Sequence, residues 1–111
     1  MWPIGMMLWR IGELLDFYEQ VEWIGAAGFD AIGFHASPGV PGEWRGVDPS
    51  SLDASGRHML RDRLQTSFRR VEIHAPLPFT LTAQSGDKAF AEIEPTVEFA
   101  GDVGADILTV H

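Results

Sequence analysis

The sequence predicts an α/β fold in which parallel strands alternate with helices, and three observations predict it. Short apolar runs without internal alternation, such as Ile4–Leu8 and Ala31–Phe34, read as strands buried on both faces. Between these runs lie longer stretches whose apolar residues fall three or four apart, the spacing of an amphipathic helix. Finally, one helix–turn–strand unit occurs twice: VEWIGAAGFDAIGFH (Val21–His35) aligns without gaps on VEFAGDVGADILTVH (Val97–His111), with Val, Glu, two glycines, Asp and His in common. Such a repeat implies repeated geometry: a helix end, a glycine stop, an Asp at the turn, a buried strand, and a histidine at the strand's carboxyl end.

The first strand is Ile4–Leu8. From Glu13, the residues Leu14, Phe17, Val21 and Ile24 form a helical stripe, and Gly28 suits the left-handed stop that follows a helix. The second strand is Ala31–Phe34. Ser37–Pro49 (SPGVPGEWRGVDP) is rich in proline and glycine and reads as a surface loop. Leu52, Met59, Leu60, Leu64 and Phe68 make a second helical stripe, within which Gly56 costs about 1 kcal/mol relative to alanine. A third strand occupies Val71–Ile73. Lys88–Val103 reads as a third helix with Phe90, Ile93, Val97, Phe99 and Ala100 on its apolar side, and Pro95 predicts a kink or restart there. The last strand is Ile107–Val110. The order β-α-β-α-β-α-β argues for a parallel sheet joined by right-handed crossovers.

Composition narrows the function. At 111 residues the chain makes one domain. The net charge is −8, and its basic residues concentrate at Arg57, Arg61, Arg63, Arg69 and Arg70, within or just after the second helix and not interleaved with aromatics. They read as a solvated helix face opposite Asp62 and other acids, which disfavours a nucleic-acid partner. The absence of cysteine excludes disulfides, thiolate zinc sites and a cysteine nucleophile, so any metal must rest on histidine and carboxylate. The opening MWPIGMMLW is short, has no basic stretch before it and no small-residue cleavage pattern, so it is neither a signal peptide nor a membrane span. A cytoplasmic protein without a membrane partner is expected. Neither a glycine-rich phosphate loop nor a Gly-x-Ser-x-Gly elbow occurs, which removes nucleotide and serine-hydrolase readings.

His35, His74 and His111 each follow the apolar body of a strand. In parallel α/β folds the carboxyl ends of the strands form one face, and active sites lie there. Imidazoles leaving neighbouring strands can therefore converge on a metal or a single substrate oxygen. His58, among Arg57, Arg61 and Asp62, reads as solvated. In HAPLPFT, Pro76 and Pro78 push Ala75 and Leu77 into extended geometry and stiffen the loop over the strand ends. Trp9 and Trp44 are candidates for an apolar wall against a sugar ring.

On VEIHAPL, AGDVGADILTVH and WIGAAGFDAIGFH, the chain resembles the xylose isomerase-like TIM barrels, a family of sugar phosphate isomerases and epimerases that also includes endonuclease IV-type nucleases. The resemblance implies that residues 1–111 are the amino-terminal part of a single (β/α)8 domain, its first four strands, because a complete barrel needs eight strands and about 250 residues. It implies a divalent metal (Zn, Mn or Mg) ligated by His74 and His111, with His35 contacting substrate. The family's carboxylate ligands come from later strands, so the metal is not held tightly by this chain alone. The implied reaction is isomerisation or epimerisation of a sugar or sugar phosphate by proton transfer next to a carbonyl. The alternatives are zinc-dependent phosphodiester cleavage at apurinic sites and a half-barrel whose role is association. The isolated chain is expected to be inactive and to associate with another copy or a complementary half, because a half barrel leaves a sheet edge open.

Overall fold

The computed structural model describes residues 2–8, 15–76 and 86–110. Its elements are β1 (Gly5–Met7), α1 (Phe17–Ala26), β2 (Ala31–His35), a short hairpin of β3 (Gly39–Val40) and β4 (Trp44–Arg45), a 3-10 turn (Pro49–Ser51), α2 (Ala54–Ser67), β5 (Arg70–His74), α3 (Gly86–Asp102) and β6 (Ile107–Thr109). Trp9, the helical residues expected from Glu13 to Leu14, Leu77, Pro78 and His111 lie outside the described residues.

Local chemistry sets the boundaries. α1 starts at Phe17 and not at Glu13 because Asp16 and Glu19 form a capping box: Asp16 Oδ1 accepts the Glu19 N–H at 2.9 Å, and Glu19 Oε2 accepts the Asp16 N–H at 3.1 Å. Asp53 caps α2 by accepting the Gly56 N–H at 2.8 Å. The segment expected to be a plain loop instead contains the β3–β4 hairpin, which opens on Gly39 at φ 91° and turns at Gly42 at φ 81°, values open to glycine. α3 runs through Pro95 without a restart. Pro95 and Ala91 are both exposed, so water can take the carbonyl that proline cannot serve.

β1, β2, β5 and β6 form one parallel sheet in that order, which is also their order along the chain. Residues of one parity, including Ile32, Phe34, Val71 and Ile73, are buried in a single cluster with Phe17, Val21 and Ile24 of α1, Leu60 and Leu64 of α2, and Phe99, Ala100 and Val103 of α3. All three helices therefore cover the same face, and each large apolar side chain buried there contributes about 1.5–3 kcal/mol. The helical stripes differ in detail from expectation. Met59 and Val97 are exposed, whereas Thr96 is buried at the position that continues the Phe99–Val103 spacing. Arg57 is not solvated either: it donates to the Leu52 and Pro49 carbonyls, pairs with Asp102 at 2.8 Å and lies over the Phe99 ring. Residues of the other parity, among them Gly5, Met7, Gly33, Glu72 and Ile107, line an open groove of about 320 Å³ on the helix-free face. Among the described residues, no helix is long and apolar enough to cross a membrane.

The repeated sequence unit has repeated geometry. Gly28 (φ 91°) and Gly104 (φ 73°) stop α1 and α3, their N–H groups donating at 3.2 Å to Gly25 O and Gly101 O. Asp30 pairs with Ile4 at the start of β1, and Asp106 pairs with Val71 at the start of β5. In both cases the Asp N–H donates to the partner carbonyl at 2.8 Å, and Asp Oδ2 accepts the partner N–H, at 3.1 and 2.9 Å respectively. The register adds a systematic slip. His35 lies beside His74 and His74 beside Thr109, yet the repeat makes His35 the counterpart of His111, two residues further on after two strand steps. The other pair agrees. β1 sets Gly5 beside Ala31 as β5 sets Glu72 beside Ile107, so Gly5 is the counterpart of Glu72, while its register neighbour across β2 is Arg70.

Candidate functional site

The site lies at the carboxyl end of the sheet, on the helix-free face. Parallel pairing puts His35 of β2 directly beside His74 of β5, and in a parallel sheet register neighbours point to the same side. Their ring centroids are 5.1 Å apart. His35 is buried, at 4% exposure, while the His74 side chain is 18% exposed. The expectation that strand-end histidines gather at one rim therefore holds for these two.

Glu72 completes the cluster. It stands two residues before His74 on β5 and so faces the same way. Its Oε1 lies 3.0 Å from His74 Nε2 and accepts the Thr109 hydroxyl of β6 at 2.5 Å, so one carboxylate ties together two strands and a histidine. A carboxylate on one ring nitrogen fixes the orientation of an imidazole. Attention to the histidines alone passes over Glu72. The signal that finds it is the Glu-x-His spacing, which on a strand places both side chains on one face.

Trp44 reaches the same place from β4. Its ring lies 4.7 Å from that of His35, and the hairpin is anchored there by the Val47 N–H donating to His35 O at 3.0 Å. Gly46 is needed for this approach, since a Cβ on it would stand 2.5 Å from the His35 carbonyl oxygen. Trp44 thus sets an aromatic face against the His35 ring. His58 stands apart on α2, where its side chain is 73% exposed and 3.5 Å from Asp62.

Register places Thr109 beside His74, and the expected metal ligand His111 lies outside the described residues. The chemistry of the donors assembled here, imidazole nitrogen and carboxylate oxygen, suits zinc or manganese. Their number does not: among the described residues no group of three or more His, Cys, Asp or Glu is placed to hold an ion. The described cluster is a histidine pair held by a carboxylate, and it can bind hydroxyl or carbonyl oxygens and move a proton. Compared with protein-family models and with curated proteins, the chain matches neither.

Proposed function

We propose that the chain is the amino-terminal half of a (β/α)8 barrel of the xylose isomerase-like kind, whose histidine rim serves isomerisation or epimerisation of a sugar or sugar phosphate. The observation that carries the reading is His35 and His74 in register at adjacent strand ends, with Glu72 fixing His74 and Trp44 flanking His35.

Two features of the sheet support the barrel. Its strand order follows the chain without reversal and its helices lie on one face, whereas a doubly wound sheet reverses its order and is covered on both faces. The slip between repeat and register also amounts to one residue per strand. A barrel of eight strands with a shear of eight slips by that amount at each step.

The chemistry follows from the groups present. A sugar at the carboxyl end of the sheet meets the Trp44 and His35 rings on one side, where the apolar face of a pyranose or an open-chain ketose can stack. His74, held through Nε2 by Glu72, takes or returns a proton next to the substrate carbonyl, and Glu72 stabilises the imidazolium while it exists. His35 hydrogen-bonds a substrate oxygen. Because the described ligand set is incomplete, no step is routed through a metal.

The test is an NMR titration of the 15N-labelled chain with a ketopentose phosphate, following imidazole signals. The His35 and His74 resonances shift with saturation, the His58 resonance does not, and Glu72→Gln weakens binding about tenfold, the loss of one charge-assisted contact. If His35 and His74 do not respond, or move no more than His58, the reading fails.

A further inference from the structure

We infer that Thr109 is a positioning residue of the histidine rim: its hydroxyl holds the Glu72 carboxylate in place, and through Glu72 it holds the His74 imidazole. The inference deepens the reading above, on which it rests for the use of His74. Its test needs no substrate, so the two can fail separately.

Strand pairing places Thr109 independently of its hydroxyl. Thr109 is the register partner of His74, and its carbonyl accepts the Ala75 N–H at 2.9 Å. A β-branched side chain on a strand has few χ1 rotamers, so the hydroxyl stands at a nearly fixed point on β6. Glu72 is the opposite case. Its side chain is long and 39% exposed, and its carboxylate has several rotamers open to water unless something holds it. In this contact the hydroxyl is the rigid member and the carboxylate the flexible one.

The surroundings of Glu72 leave the holding to the β6 side. Its register neighbours are Gly33 on β2 and Ile107 on β6, neither with a polar side chain. A Cβ added to Gly33 would stand 2.6 Å from Met7 Sδ and 3.9 Å from Glu72 Cβ, so the Met7 thioether, which has no proton to donate, lies over Gly33 beside Glu72. The contacts that fix the carboxylate are His74 Nε2 at 3.0 Å and the Thr109 hydroxyl at 2.5 Å, both on Oε1. Two donors on one oxygen share its lone pairs, so the hydroxyl does not strengthen the imidazole contact electronically. It supplies orientation, and an imidazole held on one nitrogen by an anchored carboxylate meets its substrate in one pose.

The internal repeat singles out the same residue. Val21–His35 and Val97–His111 both end on histidine, yet Thr109 stands where the first copy has Gly33. β2 and β6 are the two strands that flank β5. The repeated unit therefore departs from itself at the position beside Glu72, and supplies a hydroxyl on one side of the carboxylate only.

The experiment follows, by NMR of the full chain without ligand, the exchange with water of the proton between His74 Nε2 and Glu72. Thr109→Val keeps the β-branched shape and the backbone pairing but removes the hydroxyl, and the proton exchanges about tenfold faster, the loss of one contact to a charged group. Thr109→Ala is the second hydroxyl-free variant, gives the same increase, and decides the question if valine does not fit. Thr109→Ser restores the hydroxyl and brings the rate back to within about twofold of the unmodified chain. In a Glu72→Ala background Thr109→Val adds nothing, because the two residues act in series. An exchange rate unchanged in Thr109→Val while its urea midpoint falls would make the hydroxyl a tie between β5 and β6 and overturn the inference. Equal effects of Thr109→Val and Thr109→Ser, or an effect of Thr109→Val that survives the loss of Glu72, would overturn it as well.

Discussion

Asp106→Ala tests whether the repeated unit is a structural device. Asp106 Oδ2 accepts the Val71 N–H at 2.9 Å, and Val71 is only 3% exposed. Removing the carboxylate strands a donor at the start of β5 where water enters poorly, at a cost of roughly 1–3 kcal/mol. The Arg70–Asp106 pair adds little, since at 3.8 Å with side chains 67% and 41% exposed it contributes within about 0.5 kcal/mol. The expected loss is therefore about 2 kcal/mol, while Asp106→Asn, which keeps an acceptor, loses under about 1 kcal/mol. Asp30→Ala breaks the counterpart bond to Ile4 at 3.1 Å, but Ile4 is 60% exposed and water replaces the acceptor, so the loss is about 0.5–1 kcal/mol. Urea unfolding followed by tryptophan fluorescence reads all three, as a shift of midpoint at constant slope. Asp106→Ala within about 0.5 kcal/mol of wild type, or Asp30→Ala more damaging than Asp106→Ala, would refute the reasoning, because either result detaches the carboxylate from the burial of its partner.

Gly28→Ala and Gly104→Ala each force a residue with a Cβ into a left-handed helix stop and should cost about 1–2 kcal/mol in the same assay. Gly104 is the more sensitive, because its added Cβ meets Gln65 Nε2 at 3.1 Å while that of Gly28 meets nothing within 4 Å. At Asp48, the Ser50 hydroxyl and then the Ser50 N–H hold the carboxyl below its ordinary value of 3.8. A depressed folded value means that the cap stabilises above the ordinary value and that its contribution disappears as pH falls through the folded one. An NMR titration of the Asp48 carboxyl should move back toward 3.8 in Ser50→Ala, and an unchanged titration would contradict the assigned cause.

Much of the fold can be read from residues alone, because its strands are apolar runs and its helix stops are glycines. Phe17, Val21 and Ile24 sit where their spacing put them, and Gly28 and Gly104 carry the positive φ that the echo required. What escaped has physical reasons. A loop rich in glycine and proline hides a two-residue hairpin, since β3 and β4 are too short to show a period. Met59 and Val97 share the helical spacing but fall just outside the covered arc. Arg57 looks like any surface arginine until the chain folds α3 beside it. At the site, His35 and His74 were legible as strand ends, whereas Glu72, lying between Val71 and Ile73, looks like a solvent-facing strand residue. The slip that sets Thr109 beside His74 belongs to the tilt of neighbouring strands, which no single strand's sequence encodes.

The most direct test of the histidine rim is the pattern of nuclear Overhauser effects from the His74 ring in the full chain. The account requires cross-peaks to the His35 ring, whose centroid is 5.1 Å away, and to the Thr109 side chain, which shares the Glu72 carboxylate. Cross-peaks instead to Phe34, Ile73 or Phe99, on the face covered by helices, would place His74 on the wrong side of the sheet and contradict the rim.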